Sequence, residues 1–328
     1  MTDVVVLDDY QRVAQGAAAW DRVAGDVRFL HEHLVGDDLV DGLAGAAVVV
    51  AMRERTRFDA ALLDRLDDLR LLVTTGASNP SVDVVAAARR GVTVCGTRSL
   101  ATPAAELTWA LLLALVRQVP EADRGLREGG WQTTYGTDLA GRTLGLVGLG
   151  RLGQRVARFG QAFEMDVVAW SQNLDPDLAR GLGVQPTSRE DLLRSSDVVS
   201  LHLRLSDRTR GVLGAPELAL MKPSAYLLNT SRGPLVDQSA LLEALATGRI
   251  AGAGLDVFDE EPLPADHPLR SAPRTVLTPH LGYVTDGSYA VFYGDAVEDV
   301  AAWQAGEPVR VIDPDRPGPD VARSASGA

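Results

Sequence analysis

Leu144-Gly145-Leu146-Val147-Gly148-Leu149-Gly150-Arg151-Leu152-Gly153 is the stretch on which the fold turns. An apolar run at 143–147 meets three glycines spaced G-x-G-x-x-G, and a helical pattern follows at 154–163. The glycine spacing alone is weak evidence; its setting between a buried strand and a helix gives it a physical reason. Gly148 permits the tight turn, Gly150 lets backbone approach a pyrophosphate, and Gly153 lets the helix pack closely on the strand. The helix start, at Arg151 and Leu152, presents N–H groups and a positive dipole end to a phosphate. The stretch therefore predicts a dinucleotide site.

Outward from it, short apolar runs alternate with helical-period segments. Residues 4–7, 46–51, 71–74 and 92–95 on one side read as strands buried on both faces, as do 166–170, 198–201, 225–228, 252–255 and 275–277 on the other. Helix candidates such as 59–66 and 82–90 lie between them. The alternation predicts βαβ units and parallel sheets. With 328 residues, 46% of them hydrophobic, the chain is long enough for two cores. The expected class is α/β with two doubly wound parallel-sheet domains. One long helix is expected from Pro103 to about 127, with Thr102 as N-cap and Pro103 at its first position. Its 111–116 run is apolar nearly all round, so it must be buried within the subunit or against a second one, and a dimer interface is expected in part. A last, amphipathic helix is expected over about 287–305, and a mobile Pro/Gly/Ser/Ala-rich tail over 313–328.

The formal charge of −12 opposes binding to nucleic acid or anionic lipid. The longest apolar stretch, 109–116, is too short to span a bilayer, and the acidic N-terminus is no signal peptide. Cys95 is the single cysteine, which excludes an intrachain disulfide, fits a cytoplasmic protein and reads as a buried, inert thiol. His31 and His33 are spaced to share one face of a strand, but no cysteine or further histidine is near. They read as surface residues, and no metal is expected.

Strand ends carry the chemistry. After 166–170 come Ser171 and Gln172, where an NAD-specific site usually has an acid about 20 residues past the glycines. Neither residue repels a 2′-phosphate and Arg151 is the nearest cation, so NAD(H) and NADP(H) both remain open. Three further clusters follow apolar runs: Asn229-Thr230-Ser231-Arg232-Gly233, Gly254-Leu255-Asp256 running on to Glu261-Pro262, and Thr278-Pro279-His280-Leu281-Gly282. In a parallel sheet such ends meet at the ligand crevice. An arginine, acids and a histidine there stand where a hydride-transfer site would want them. Guanidinium pairs two oxygens at once and keeps its charge, and imidazole exchanges protons near neutral pH.

The glycine turn and these three clusters resemble the D-isomer-specific 2-hydroxyacid dehydrogenase family, over nearly the whole chain from Leu7-Asp8-Asp9-Tyr10 to about Val311. The resemblance implies an NAD(P)-dependent enzyme that interconverts a small 2-keto acid and a D-2-hydroxy acid. It implies that Arg232 grips the substrate, that His280 is the general acid or base, and that Glu261, which precedes Pro262 as the family's acid does, fixes the histidine tautomer. Asp256 would hold the nicotinamide carboxamide, and His202, Leu203, Thr230, Ser231 and Gly282 would lie along the cofactor. Backbone N–H groups of Thr75-Gly76-Ala77-Ser78 would bind the substrate carboxylate. It also implies a flavodoxin-like substrate domain of residues 1–100 and 283–312, interrupted by a Rossmann domain of residues 101–282, and a homodimer formed through the latter. Two departures stand out: Arg204 replaces a usual proline, and Ser78-Asn79-Pro80 alters the substrate loop. A cofactor-sensing, non-catalytic interaction protein on the same fold is the alternative.

Overall fold

A computed structural model describes residues 3–315, which divide into two units: 3–100 with 285–315, and Ala101–Val284. In the first unit, β1 (Asp3–Val6), β2 (Val27–Phe29), β3 (Ala46–Ala51), β4 (Leu71–Thr74) and β5 (Thr93–Gly96) form one parallel sheet in the order β2-β1-β3-β4-β5. The chain reverses its direction of winding between β1 and β3. Valines 4–6, 48–50 and 73 are at most 1% exposed, each worth about 1.5–3 kcal/mol of burial. Cys95 is fully buried in β5, and burial pushes its thiol up to about 12, as a buried, unreactive cysteine requires. Val311 bridges Cys95 in antiparallel sense, with Gly96 N–H donating to Arg310 O (3.0 Å) and Ile312 N–H to Val94 O (2.8 Å).

The helix Asp286–Gln304 belongs to this unit and packs against β4 and the helix Ala14–Ala17. The expected amphipathic helix is buried over most of its surface. Tyr289, Phe292, Tyr293, Ala296, Val297 and Val300 are buried, and so are Asp295 and Asp299. Those acids meet arginines: Arg98 Nη2 lies 2.6 Å from Asp295, and Arg310 Nε 2.9 Å from Asp299. The solvent-facing stripe is narrow and runs through Gly287, Ala290 and Glu298.

The second unit holds β6 (Thr143–Val147), β7 (Asp166–Trp170), β8 (Gln185–Pro186), β9 (Val198–Leu201), β10 (Tyr226–Asn229), β11 (Gly252–Leu255) and β12 (Thr275–Leu277). All neighbours are parallel, in the order β12-β11-β10-β9-β6-β7-β8, so winding reverses between β6 and β9. Both sheets are therefore doubly wound, and each reversal leaves a crevice at the carboxyl ends of two adjacent strands.

The expected single helix over 103–127 is two, Thr102–Val116 and Val119–Arg127. Gln118 turns left-handed (φ +52°) between them, and Pro120 cannot donate to an uninterrupted helix. Thr102 is the first helical residue rather than the cap; Ala101 precedes it without a side-chain bond. Leu111, Leu112, Leu115 and Val116 of the apolar run are buried, and the helix packs on β10, β11, β12 and the helix Arg151–Ala162. Leu113 and Ala114 stay half-buried. Residues 316–328, most of the expected tail, lie outside the described residues. Among those described, no helix is long and apolar enough to cross a membrane.

Candidate active site

The glycine turn follows β6 at the winding reversal of the second unit. Gly148 has φ +106°, and its N–H donates to Trp170 O at 2.8 Å. A Cβ on Gly148 would come within 2.5 Å of His202 O, and one on Gly153 would strike Gly148 O. Gly150 differs: no heavy atom lies within 4 Å of a Cβ built there, and the helix Arg151–Ala162 that follows has no side-chain cap. Open space beside uncapped amides fits a dinucleotide diphosphate. Arg151 is exposed and Leu152 half-buried at the same helix start.

The Gly148–Trp170 bond sets Ser171, half-buried, and the exposed Gln172 beside the turn. Opposite, His202 N–H donates to Val147 O (2.8 Å), and Leu203 Cδ2 lies 3.0 Å from the Gly148 Cβ position. His202 is half-buried, with Nδ1 shielded from solvent; burial pushes its pKa down to about 4, and Nε2 pairs with Ser200 Oγ at 2.9 Å. Its Nδ1 has no partner among the described residues. His202 supports the turn as a neutral ring.

At the end of β10, Asn229 closes a tight loop. Its Nδ2 donates to Arg232 O (2.9 Å) and its Oδ1 accepts Ser231 N–H (3.1 Å). Ser231 Oγ donates to Leu201 O (2.7 Å), and Thr230 Oγ1 pairs with Thr108 Oγ1 (2.6 Å). Both hydroxyls thus tie neighbouring segments together. Arg232 is half-buried, with Nη1 donating to Ser231 O at 2.7 Å. A Cβ on Gly233 would collide with the Phe258 backbone, so only glycine lets the Arg232 loop lie against the segment that carries Glu261.

That segment meets the turn after β12. His280 Nδ1 lies 2.5 Å from Glu261 Oε2, while Glu261 Oε1 accepts Phe258 N–H at 2.8 Å. Both carboxylate oxygens are thus held, and the imidazole has Nε2 left to face a substrate. Asp259 instead faces the charges of Arg210, Asp237 and His267, and the acid on the histidine is Glu261. Tyr283 sets its ring edge-on to His280, centroids 5.4 Å apart. Asp256 is fully buried, and its carboxylate accepts from Thr278, Leu281 and Gly282. Burial raises its pKa against those donors and the His280 charge.

In the first unit, Thr75 N–H donates to Ala51 O (3.0 Å) and Gly76 N–H to Thr97 Oγ1 (2.7 Å). These two amides are already used within the unit. Gly76 has φ +97°, and a Cβ there would collide with the Arg53 guanidinium. At this unit's winding reversal, Asp8, Arg12 and Arg53 all adopt left-handed backbone. Asp8 accepts from Thr56 Oγ1 (2.8 Å) and Tyr10 OH (3.0 Å), with Arg55 4.4 Å over the Tyr10 ring. His31 and His33 lie in the loop beyond β2 rather than on a strand face, because they turn to the buried acids at the end of β1. His33 Nδ1 is 3.2 Å from Asp8 Oδ1, and His31 Nδ1 3.1 Å from Asp9 O. Their signal in the sequence was the Asp8-Asp9 pair directly after an apolar strand. No group of three or more His, Cys, Asp or Glu residues among those described could hold a metal ion.

Comparison with known proteins places this geometry. The sequence model described as "D-isomer specific 2-hydroxyacid dehydrogenase, NAD binding domain" matches residues 109–282. A glyoxylate reductase of Aeropyrum pernix is 41% identical over 261 residues, 76% of this chain and 78% of that one. A D-3-phosphoglycerate dehydrogenase of Methanocaldococcus jannaschii is 35% identical over 77% of this chain, which spans only 49% of that protein. The crystal structure of a phosphoglycerate oxidoreductase from Vibrio cholerae superposes with a TM-score of 0.90 at 37% identity, covering 93% of this chain and all of that one. An NAD-binding domain matched across most of the second unit, and relatives at this identity over three quarters of the sequence, show that the chain belongs to the D-isomer-specific 2-hydroxyacid dehydrogenase family.

Proposed function

We propose that His280, Glu261 and Arg232 carry the proton-transfer and carboxylate-binding steps of this NAD-dependent 2-hydroxyacid oxidoreductase. One observation carries the assignment: Glu261 binds His280 Nδ1 at 2.5 Å with its own second oxygen pinned by the Phe258 amide. A histidine oriented in this way offers Nε2 as acid in one direction and base in the other. When bound, the nicotinamide supplies or accepts the hydride at C2 of the acid. His280 gives its proton to the keto oxygen in reduction and removes it in oxidation. The Arg232 fork pairs with the carboxylate, and together with the imidazolium it offsets the charge that develops on the oxygen.

The diphosphate is assigned to the amides of Gly150, Arg151 and Leu152, with His202, Leu203 and Gly282 beside the cofactor. Ser171 and Gln172 are uncharged, so both NADH and NADPH are expected to serve. Glyoxylate heads the substrate panel, because relatives matched over most of their length bear that name. A buried, unreactive Cys95 fits a reducing cytoplasm. We assign a homodimer to the second unit's 119–135 segment, where Trp131 and Tyr135 are 77% and 93% exposed and Val119 and Leu126 also face outward. Its test is a fall in hydrodynamic mass when Trp131 and Tyr135 become serine.

The function is tested by nicotinamide absorbance with NADH and NADPH against glyoxylate, hydroxypyruvate, pyruvate and phenylpyruvate. Turnover of at least one acid supports the assignment. Tight cofactor binding with no turnover of any acid would support a cofactor-sensing protein instead.

A further inference from the structure

His280 has φ +54°. A non-glycine residue there costs on the order of 1–3 kcal/mol and persists only where its surroundings over-determine it. What holds it is Asp256, the residue that follows β11. Asp256 Oδ1 accepts from Thr278 Oγ1 at 2.6 Å and from Leu281 N–H at 2.7 Å; Oδ2 accepts from Gly282 N–H at 2.9 Å. Its backbone oxygen accepts His280 N–H at 2.8 Å, and its own N–H donates to Asn229 O at 3.0 Å. The carboxylate is fully buried and meets hydroxyl and amide donors rather than a cation.

A carboxylate has about four acceptor positions. Three go to residues that flank His280 on both sides, and one, on Oδ2, is left for a cofactor amide. Carboxamide binding alone needs none of the three. A side chain that served only to complete the core would not be an anion, since burying one without an ion pair is costly. The three donors and the strained turn they straddle account for it.

We propose that Asp256 is a positioning residue: its carboxylate clamps residues 278–282 and holds His280 in the left-handed conformation from which its ring meets Glu261. This rests on the assignment of His280 as the proton-transfer residue. Asp256→Asn keeps one acceptor oxygen but turns an NH2 group toward amide donors, so the clamp opens. Thr278→Val removes a single donor, and Thr278→Ser keeps it.

The test is imidazole NMR of the cofactor-free protein, with the His280 signals identified by their loss in His280→Ala, beside kcat and KM. The clamp predicts that the His280 resonances and their titration move in Asp256→Asn and in Thr278→Val. It predicts that kcat falls roughly tenfold in Thr278→Val, as for one bond to a charged group, with the KM for NADH within twofold. Thr278→Ser should restore both readouts. Unmoved His280 resonances and unchanged kcat in Thr278→Val would overturn it, as would an Asp256→Asn variant altered only in its KM for NADH. If Asp256→Asn does not fold, the Thr278 pair decides. If the wild-type protein turned over no keto acid, the catalytic assignment would fail while the NMR arm still tested the clamp.

Discussion

Each unit reverses its winding at one point and puts buried acids and histidines at its strand ends, yet the two crevices use them differently. In the first unit, Asp9 accepts the amides of Val13 and Ala14, and Asp8 is taken up by Tyr10, Thr56 and His33. In the second, Asp256 does the same kind of structural work for the turn after β12, and this leaves Glu261 and His280 as a further pair, part-exposed at 34% and 22%. Residue type therefore does not mark the pair we assign to proton transfer. Distance and exposure do: His280 lies 2.5 Å from a part-exposed Glu261, whereas His33 lies 3.2 Å from an Asp8 that is 1% exposed and already shared with Tyr10 and Thr56.

If the chemistry is confined to the second crevice, variants in the two should separate activity from stability. The largest effect is expected from Arg232→Ala: kcat/KM for the keto acid should fall by about two to three orders of magnitude, as when one partner of a desolvated charged pair is lost. Steady-state kinetics checks it, with cofactor affinity measured by fluorescence. Glu261→Gln should lower kcat about tenfold or more, since a neutral amide loses the charge-assisted bond to His280. Asp259→Asn, two residues away, should leave kcat near the wild-type value; equal losses in both variants would erase the distinction between the dyad acid and its neighbours.

The first unit should answer in stability. Asp9→Ala removes the acceptor for the Val13 and Ala14 amides and should cost about 1 kcal/mol, seen as a Tm lowered by a few degrees with kcat retained. The smallest effect is a pH dependence. The hydrogen bond that His33 donates to Asp8 raises the pKa of His33 above its ordinary 6.5, against the opposing effect of burial. The stabilisation is therefore full below pH 6.5 and is lost as pH rises through the raised value. His33→Gln should flatten that part of a Tm–pH curve.

The sequence shows most of this fold because its strands are buried on both faces and read as bare apolar runs. β3, β4, β6, β7, β9, β11 and β12 occupy the expected residues. β8 shows no apolar run because it is a two-residue edge strand, and β2 none because only half-buried residues flank an exposed Arg28. The helix break at Gln118 was marked by Pro120, but the apolar run before it dominated the pattern. Of the candidate site, the glycine turn follows from its place between a buried strand and a helix, whereas the pairing of Glu261 with His280 is implied only by the resemblance, because Asp259 and Glu260 stand in the same acidic run. The local duties of Thr230, Ser231 and Asp256 follow from neither, because they depend on which neighbouring segment each side chain meets. The same holds for the amides of Thr75 and Gly76, which were expected to face a ligand but are spent on Ala51 and Thr97.

The measurement that tests the central claim most directly is the rate of nicotinamide oxidation by His280→Ala at saturating cofactor and keto acid, with cofactor affinity and Tm determined on the same sample. A rate lower by roughly a hundredfold or more, with affinity and Tm unchanged, is the predicted result. A near-normal rate in a stable, cofactor-binding variant would contradict the assignment of His280.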